Sequence, residues 1–376
     1  MANRLHRIFT AAVLSTTLSL VALGGIRAVA ASSSRLATRL QPVLVVRAGS
    51  SSSVYVLWRE SGSCTTCWAL TRSPFDVTPL EHVSAPPAIR PVPGNPAGSL
   101  EDLVFATASD GMALELTKDG ANLLYVTHDA ARTWTRWPLL AGAQLTDLVA
   151  TPSDFFATER ICHDVRWRCV DTSLLRAGAS ASHWMATPLP HARSLGGEML
   201  GVGAWHHRVW VTGGTTIRPY AFLSTSANDG AIFTTRGHVA LMRITACSLQ
   251  AMNELSLWAE CLGGHAYSLL HSSNAGRSWR TVVTPAPNMA QGGAFAPIST
   301  TTGYLVLGLT SRLYIVSHAG ASLSVRGPSP FRWLSDLVFV GDSEGLAVGG
   351  VSPGASLQLA VTRNGGRSWT RLAPSS

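Results

Sequence analysis

Four eight-residue segments of this chain follow one pattern, and their spacing constrains the fold more than any other feature. They are Thr127-His128-Asp129-Ala130-Ala131-Arg132-Thr133-Trp134, Ser226-Ala227-Asn228-Asp229-Gly230-Ala231-Ile232-Phe233, Ser272-Ser273-Asn274-Ala275-Gly276-Arg277-Ser278-Trp279 and Thr362-Arg363-Asn364-Gly365-Gly366-Arg367-Ser368-Trp369. Each follows a β-rich run such as Leu123 to Val126 or Leu357 to Val361. The residue types are those of a hairpin turn. A short Asp or Asn side chain accepts backbone N–H bonds, a small residue tolerates positive φ, and the terminal aromatic packs between neighbouring units. Asp129, Trp134, Asn228, Phe233, Asn274, Trp279, Asn364 and Trp369 therefore read as structural positions. One octet is a weak signal, but four in a periodic array mark repeats of one supersecondary unit.

A second element recurs upstream. Asp102-Leu103-Val104-Phe105 precedes Gly111, and Asp336-Leu337-Val338-Phe339 precedes Gly345, which reads as a strand, a tight turn and a second strand. Each unit is then one four-stranded antiparallel blade with its octet between the third and fourth strands. Degenerate copies fill the gaps: one begins Asp147-Leu148-Val149 and ends at Trp184, and Ser317-His318-Ala319-Gly320 with Leu323 is an eroded octet. The octet aromatics or their equivalents fall at 134, 184, 233, 279, 323 and 369. Residues 42–82 read as one more blade whose octet is lost. A composition that is 46% apolar and 13% charged excludes disorder and suits a core shared between blades. The expected fold is all-β, a single β-propeller over 42–376 with seven four-stranded antiparallel blades, or six if the first segment only caps the ring.

These octets resemble the Asp-box (BNR) repeat of sialidase-like and Ycf48-like propellers, and the resemblance covers nearly all of residues 42–376 at the level of the repeat. It implies that the octets mark the fold and carry no catalytic role, and that ligands meet the opposite face, built from second-to-third loops and inter-blade connections. Sorting charges by that map places Arg90, Lys118, Arg166, Arg168, Arg193, Arg218, Arg236, Arg326 and Arg332 there, opposed by Glu60, Asp119 and Asp164. Such a face suits an anion or a protein partner, although the loops of an arginine-rich chain collect arginines anyway. The loop from Cys162 to Cys169 is the densest candidate, with Trp167 between Arg166 and Arg168 in an interface-like composition. A structural cap over the ring is its other reading. Asp102, Asp147 and Asp336 share one repeat position near the channel mouth. Three carboxylates there suit a cation or acid–base work, while duplicated blades equally repeat structural hydrogen bonds. His206 and His207 are adjacent, so in a strand they point to opposite faces and do not share a metal.

The N-terminus supplies the compartment. Arg4, His6 and Arg7 precede an apolar run from Ile8 to Gly25, and Ala28-Val29-Ala30 matches a small-residue cleavage rule. Residues 1–30 read as a secretory signal peptide cut after Ala30, with an uncleaved anchor as the alternative, and 31–41 as a polar lead. The formal charge of +8 falls to +5 once Arg4, Arg7 and Arg27 leave. Six cysteines follow, an even count that suits disulfides in an oxidising compartment. The blade register sets Cys247 and Cys261 opposite one another across a first hairpin. Cys162 and Cys169 would staple the neck of a loop, and Cys64 and Cys67 a turn. Zinc at the lone C-x-x-C lacks partner ligands, and no metal or cofactor is expected.

Three functional classes remain. Sialidases use an arginine triad, a Tyr–Glu nucleophile pair and an Asp acid; here Ile89-Arg90-Pro91-Val92 is a poor match to their early signature, and none of the six tyrosines pairs with a suitably repeated glutamate. A secreted non-catalytic propeller that binds a protein or anionic partner through its loop face is the leading reading. A glycosidase and a Ycf48-like assembly or structural envelope factor are the alternatives. A monomer is expected, with no nucleic acid as partner.

Overall fold

A computed structural model describes residues 39–47, 53–61, 68–74, 81–83, 99–116, 122–139, 143–162, 169–180, 183–189, 199–214, 221–239, 246–263, 266–282, 293–308, 310–352 and 355–372. Among these, twenty-eight strands form seven four-stranded sheets, each built from consecutive strands paired antiparallel. The first sheet holds β1 (Arg39–Arg47), β2 (Ser53–Ser61), β3 (Trp68–Pro74) and β4 (Glu81–Val83), so residues 42–82 do form a blade. The second holds β5 (Ser99–Phe105), β6 (Gly111–Leu116), β7 (Asn122–Thr127) and β8 (Thr135–Trp137); the third β9 (Ala143–Ala150), β10 (Asp154–Cys162), β11 (Cys169–Gly178) and β12 (Met185–Pro188). The fourth has β13 (Met199–Trp205), β14 (Arg208–Gly214), β15 (Ala221–Ser226) and β16 (Thr234–Val239), and the fifth β17 (Ala246–Ala251), β18 (Leu257–Gly263), β19 (Ala266–Ser272) and β20 (Arg280–Thr281). The sixth runs through β21 (Gly293–Pro297), β22 (Gly303–Leu307), β23 (Arg312–Ser317) and β24 (Ser322–Pro328), the seventh through β25 (Trp333–Val340), β26 (Glu344–Gly350), β27 (Gln358–Thr362) and β28 (Thr370–Leu372). This is an all-β propeller.

The alternation of each strand sends side chains to both faces of its sheet, so every sheet is buried twice and the core is divided among the seams. Phe155, Ala157 and Leu175 of the third sheet meet Met112, Leu114 and Leu124 of the second, and comparable clusters fill the other seams. The ring closes where Val54, Val56 and Trp58 of the first sheet pack on Leu346, Val348 and Leu359 of the seventh. Among the described residues no strand is exchanged across that closure, because β1 to β4 and β25 to β28 form separate sheets.

The repeated Phe-to-Gly spacing has a direct cause. Phe105 pairs with Gly111 and Phe339 with Gly345, and a Cβ on either glycine would fall 2.4 or 2.7 Å from the ring lying over it. A tyrosine of the preceding sheet stacks on that ring: Tyr55 on Phe105 at 3.6 Å between centroids, Tyr304 on Phe339 at 4.0 Å. Each phenol then donates to a hairpin carbonyl of the same neighbour, Tyr55 to Ala108 and Tyr304 to Asp342, both at 2.7 Å. Trp134 and Trp369 meet the two rings edge-on. Aromatic packing of this kind adds about 0.5–1.5 kcal/mol per pair beyond area burial.

Cys247 and Cys261 are register partners in β17 and β18 and are joined by a disulfide, with Cα atoms 4.0 Å apart. The backbones of Cys162 and Cys169 also pair directly. Their side chains, together with Cys64 and Cys67, lie outside the described residues, as do residues 1–38. No helix among the described residues is long and apolar enough to cross a membrane.

Candidate functional site

The octets fold alike. In the second sheet Thr127 Oγ1 accepts the N–H of Ala131 at 3.0 Å and donates to Asp129, whose carboxylate takes the Thr133 N–H at 2.8 Å and hydroxyl at 2.6 Å. These bonds hold the Asp129 carboxyl near 2. The same frame recurs on Ser226 with Asn228, Ser272 with Asn274 and Thr362 with Asn364. The fifth residue has positive φ in each: Ala131 at 66°, Gly230 at 80°, Gly276 at 83° and Gly366 at 77°. It also seats the turn on the preceding sheet, since a Cβ there would fall 2.2 Å from Leu174 (Gly230), 2.3 Å from Leu223 (Gly276) or 2.0 Å from Leu313 (Gly366). The leading Ser or Thr and the Asp or Asn of each octet are thus spent on their own turn.

Asp102, Asp147 and Asp336 sit at equivalent places, each just after a bulge in its first strand. All three are buried. Asp147 accepts the Val202 N–H of β13 at 2.7 Å, a tie from the third sheet to the fourth. Asp102 and Asp336 accept the N–H of the next residue, Leu103 and Leu337, at 2.8 and 2.9 Å. Cross-strand partners share a face. Asp102 lies opposite Leu114, which packs on the third sheet, and Asp336 opposite Val348, which packs on the first. The carboxylates therefore turn toward three different seams. No group of three or more His, Cys, Asp or Glu is placed to hold a metal ion among the described residues.

Among the described residues, one tyrosine hydrogen-bonds a glutamate. Tyr267 Oη donates to Glu260 Oε2 at 3.0 Å, and Gln250 Nε2 donates to Oε1 at 2.9 Å. The two residues are diagonal neighbours in the β18–β19 hairpin, a relation that no repeat signals. Burial pushes the Glu260 carboxyl up to about 8, with Asp336 adding to the shift. Burial also pushes the Tyr267 phenol well above its usual range, with Glu260 adding. An activated phenol nucleophile needs the opposite shift. The ring of Tyr267 lies over Gly293 of β21, so this pair props the fifth sheet against the sixth.

His207 Nδ1 lies 2.9 Å from Asp229, which also meets Arg176 at 3.3 Å, and Arg176 reaches Asp154 at 2.8 Å. His128 and Asp110 form a similar pair in the second sheet. The sequence carries a signal for these that the octet pattern overshadows: Thr107-Ala108-Ser109-Asp110 and Thr151-Pro152-Ser153-Asp154 repeat as T-x-S-D, each closing its hairpin through the threonine hydroxyl.

Of the arginines assigned to the far face, Arg90, Arg166, Arg168, Arg193 and Arg218, with Trp167, lie outside the described residues. Arg332 is exposed in the connection between the sixth and seventh sheets. Arg326 is half-buried, and its Nε donates to Gly365 O at 3.1 Å, which turns it to the octet of the seventh sheet instead of the far-face loops. Around these two the charge is one-sided. No Asp or Glu occurs from Cys261 to Ser335, while Arg277, Arg280, Arg312, Arg326 and Arg332 fall in that span.

Solved structures with this architecture exist, although no family model and no curated protein matches the chain. A puromycin hydrolase is similar at 15% identity and a TM-score of 0.58, over 89% of this chain and 55% of that one. Ycf48 bound to a D1 peptide is similar at 12% identity and 0.51, over 90% and 94%. The β-propeller domain of the Trilobed protease from Pyrococcus furiosus, described as an open velcro topology, is similar at 8% identity and 0.55, over 89% and 95%. The likeness is one of fold. The chain spans about half the length of the hydrolase it matches.

Proposed function

We propose that the chain is exported by its first thirty residues and acts as a non-catalytic propeller of the Asp-box kind that binds a protein or anionic partner. The observation that carries this reading is how the candidate carboxylates are used. Asp147 is engaged by a backbone N–H of the next sheet, Asp102 and Asp336 are buried against seams, and burial holds Glu260 and Tyr267 in their neutral forms. What is left with an excess of one charge is guanidinium, which attracts and orients anionic groups. The Cys247–Cys261 disulfide is compatible with an extracellular protein. A ring of similar fold holds a D1 peptide, which favours a peptide or protein as partner over a small substrate.

The reading is tested by pull-down with the chain lacking residues 1–30. An anionic partner is expected to be released by salt and to bind more weakly when Arg166, Arg168 and Arg193 are neutralised; salt-independent, unchanged binding would remove the basic-face idea. Turnover of fluorogenic glycosides that disappears in Asp102→Asn or Asp336→Asn would make the chain a hydrolase instead.

A further inference from the structure

The fourth strands differ in length from sheet to sheet. β4, β8, β12, β20 and β28 have two to four residues, whereas β16 has six and β24 seven, from Ser322 to Pro328. In β24 the eroded octet lets the strand begin early. In the seventh sheet the full turn separates Thr362 from Thr370, but in the sixth Ser317 pairs directly with Ser322, so pairing continues from there. β24 ends its sheet and, among the described residues, pairs only with β23. Ser322, Ser324 and Val325 are exposed, Val325 at 54%. Long exposed edges are usually shortened or blocked in natural sheets, because their free backbone groups pair with any extended chain; in β24 the bulge at Arg326 and Pro328 close one end and leave Ser322–Val325 as the open stretch.

This edge lies in the acid-free span, with arginines on either side. On the seventh sheet's side, Arg326 donates to Gly365, a Cβ on Gly327 would fall 3.2 Å from the Arg367 Cα, and Arg371 lies 5.6 Å over the ring of Phe331 just beyond the strand. On the fifth sheet's side, Val282 packs with Leu323, and the exposed Arg280 is two residues from it. Asp342 and Glu344 are the nearby acids in the sequence, while Asp336 is buried.

We propose that β24 is a docking edge for an extended acidic polypeptide segment, which adds a fifth strand to the sixth sheet and sets its carboxylates among Arg280, Arg326, Arg367 and Arg371. The partner is a polypeptide because only a polypeptide offers alternating N–H and C=O groups at the repeat of a β-edge. The proposal rests on the partner-binding reading above but moves the contact from the far face to the outer edge.

A fluorescent synthetic peptide of alternating Glu and Thr, titrated at low salt, tests it. Binding is expected to weaken by about tenfold or more on N-methylation of alternate residues in one register and to persist in the other. It is also expected to weaken in the triple variant Arg280→Gln, Arg367→Gln, Arg371→Gln, checked for an unchanged melting temperature. Bound peptide should slow amide exchange in Ser322–Gly327. No binding, equal binding of both N-methylated forms, or no added protection in β24 overturns the edge site. Peptide binding lost on neutralising Arg166, Arg168 and Arg193 but kept in the triple variant leaves the far-face reading standing and removes this one. Binding that neither set alters removes both.

Discussion

The seam between the third and fourth sheets and the seam that closes the ring between the seventh and first are built by different means. At the former, Asp147 bonds the Val202 backbone, Arg176 reaches Asp229, and Gly230 seats an octet on Leu174, all around an apolar cluster of Val149, Phe156, Val202 and Val211. At the latter, Val54, Val56 and Trp58 of the first sheet meet Leu346, Val348 and Leu359 of the seventh. Covalent continuity joins the third sheet to the fourth but not the seventh to the first. Among the described residues the closure is thus seen as apolar packing.

Truncating the largest side chain of the closure should have the largest effect. Trp58 is buried there, with its indole N–H on Thr71 Oγ1 at 2.7 Å. Trp58→Ala is expected to cost about 3–5 kcal/mol in urea unfolding. Amide exchange should rise first in β1 and β25. A uniform rise around the ring would show that the closure is no weaker than the rest.

The fifth sheet offers the opposite extreme, a covalent tie at a seam. Cys247 is bonded to Cys261 fourteen residues on, and its carbonyl faces the place where a Cβ on Gly201 of the fourth sheet would fall, at 2.0 Å. Removing the bond as Cys247→Ser with Cys261→Ser is expected to cost about 3 kcal/mol, the value for a loop of this size. Exchange at β13 should rise with it if the bond braces the seam.

Asp147→Ala comes next, because it leaves the Val202 N–H buried without its acceptor. A loss of about 1–3 kcal/mol is expected. A loss confined to a few tenths would mean that the repeated aspartates are not seam ties.

Features local to one sheet were legible in the sequence. The octet places its Asp or Asn four residues from the N–H it accepts, as in Asn274 with Ser278, and Cys247 with Cys261 follows from counting along one hairpin. Seam chemistry was not. The bond from Asp147 to Val202 spans 55 residues, and no repeat marks the hydrogen bond from Tyr267 to Glu260. Arg326 was sorted to a face by its place in the repeat, but the bulge between its neighbours' partners, Leu313 and Tyr314, carries it to the next sheet's turn. The acid-free span was visible as text. Its meaning required the length of β24, which is set by a turn too eroded to measure from the sequence.

The last effect expected is one of pH, and it separates a buried prop from a surface pair. Glu260 is 2% exposed and is raised by burial from the ordinary glutamate value of 4.5 to about 8. A carboxyl raised in the folded state holds its proton there after the unfolded chain has released it, so stability falls as pH rises between those two values and levels off above them. The groups facing it are Gln250 and Tyr267, with Asp336 acting through charge. Ionisation would put a second negative charge near Asp336 in a dry site. Glu260→Gln keeps an acceptor for Tyr267 and removes the proton, so its unfolding free energy should lose that slope while staying close to the parent at pH 5. An unchanged slope in Glu260→Gln would place the carboxyl in water, and with it the prop that holds Tyr267 over Gly293.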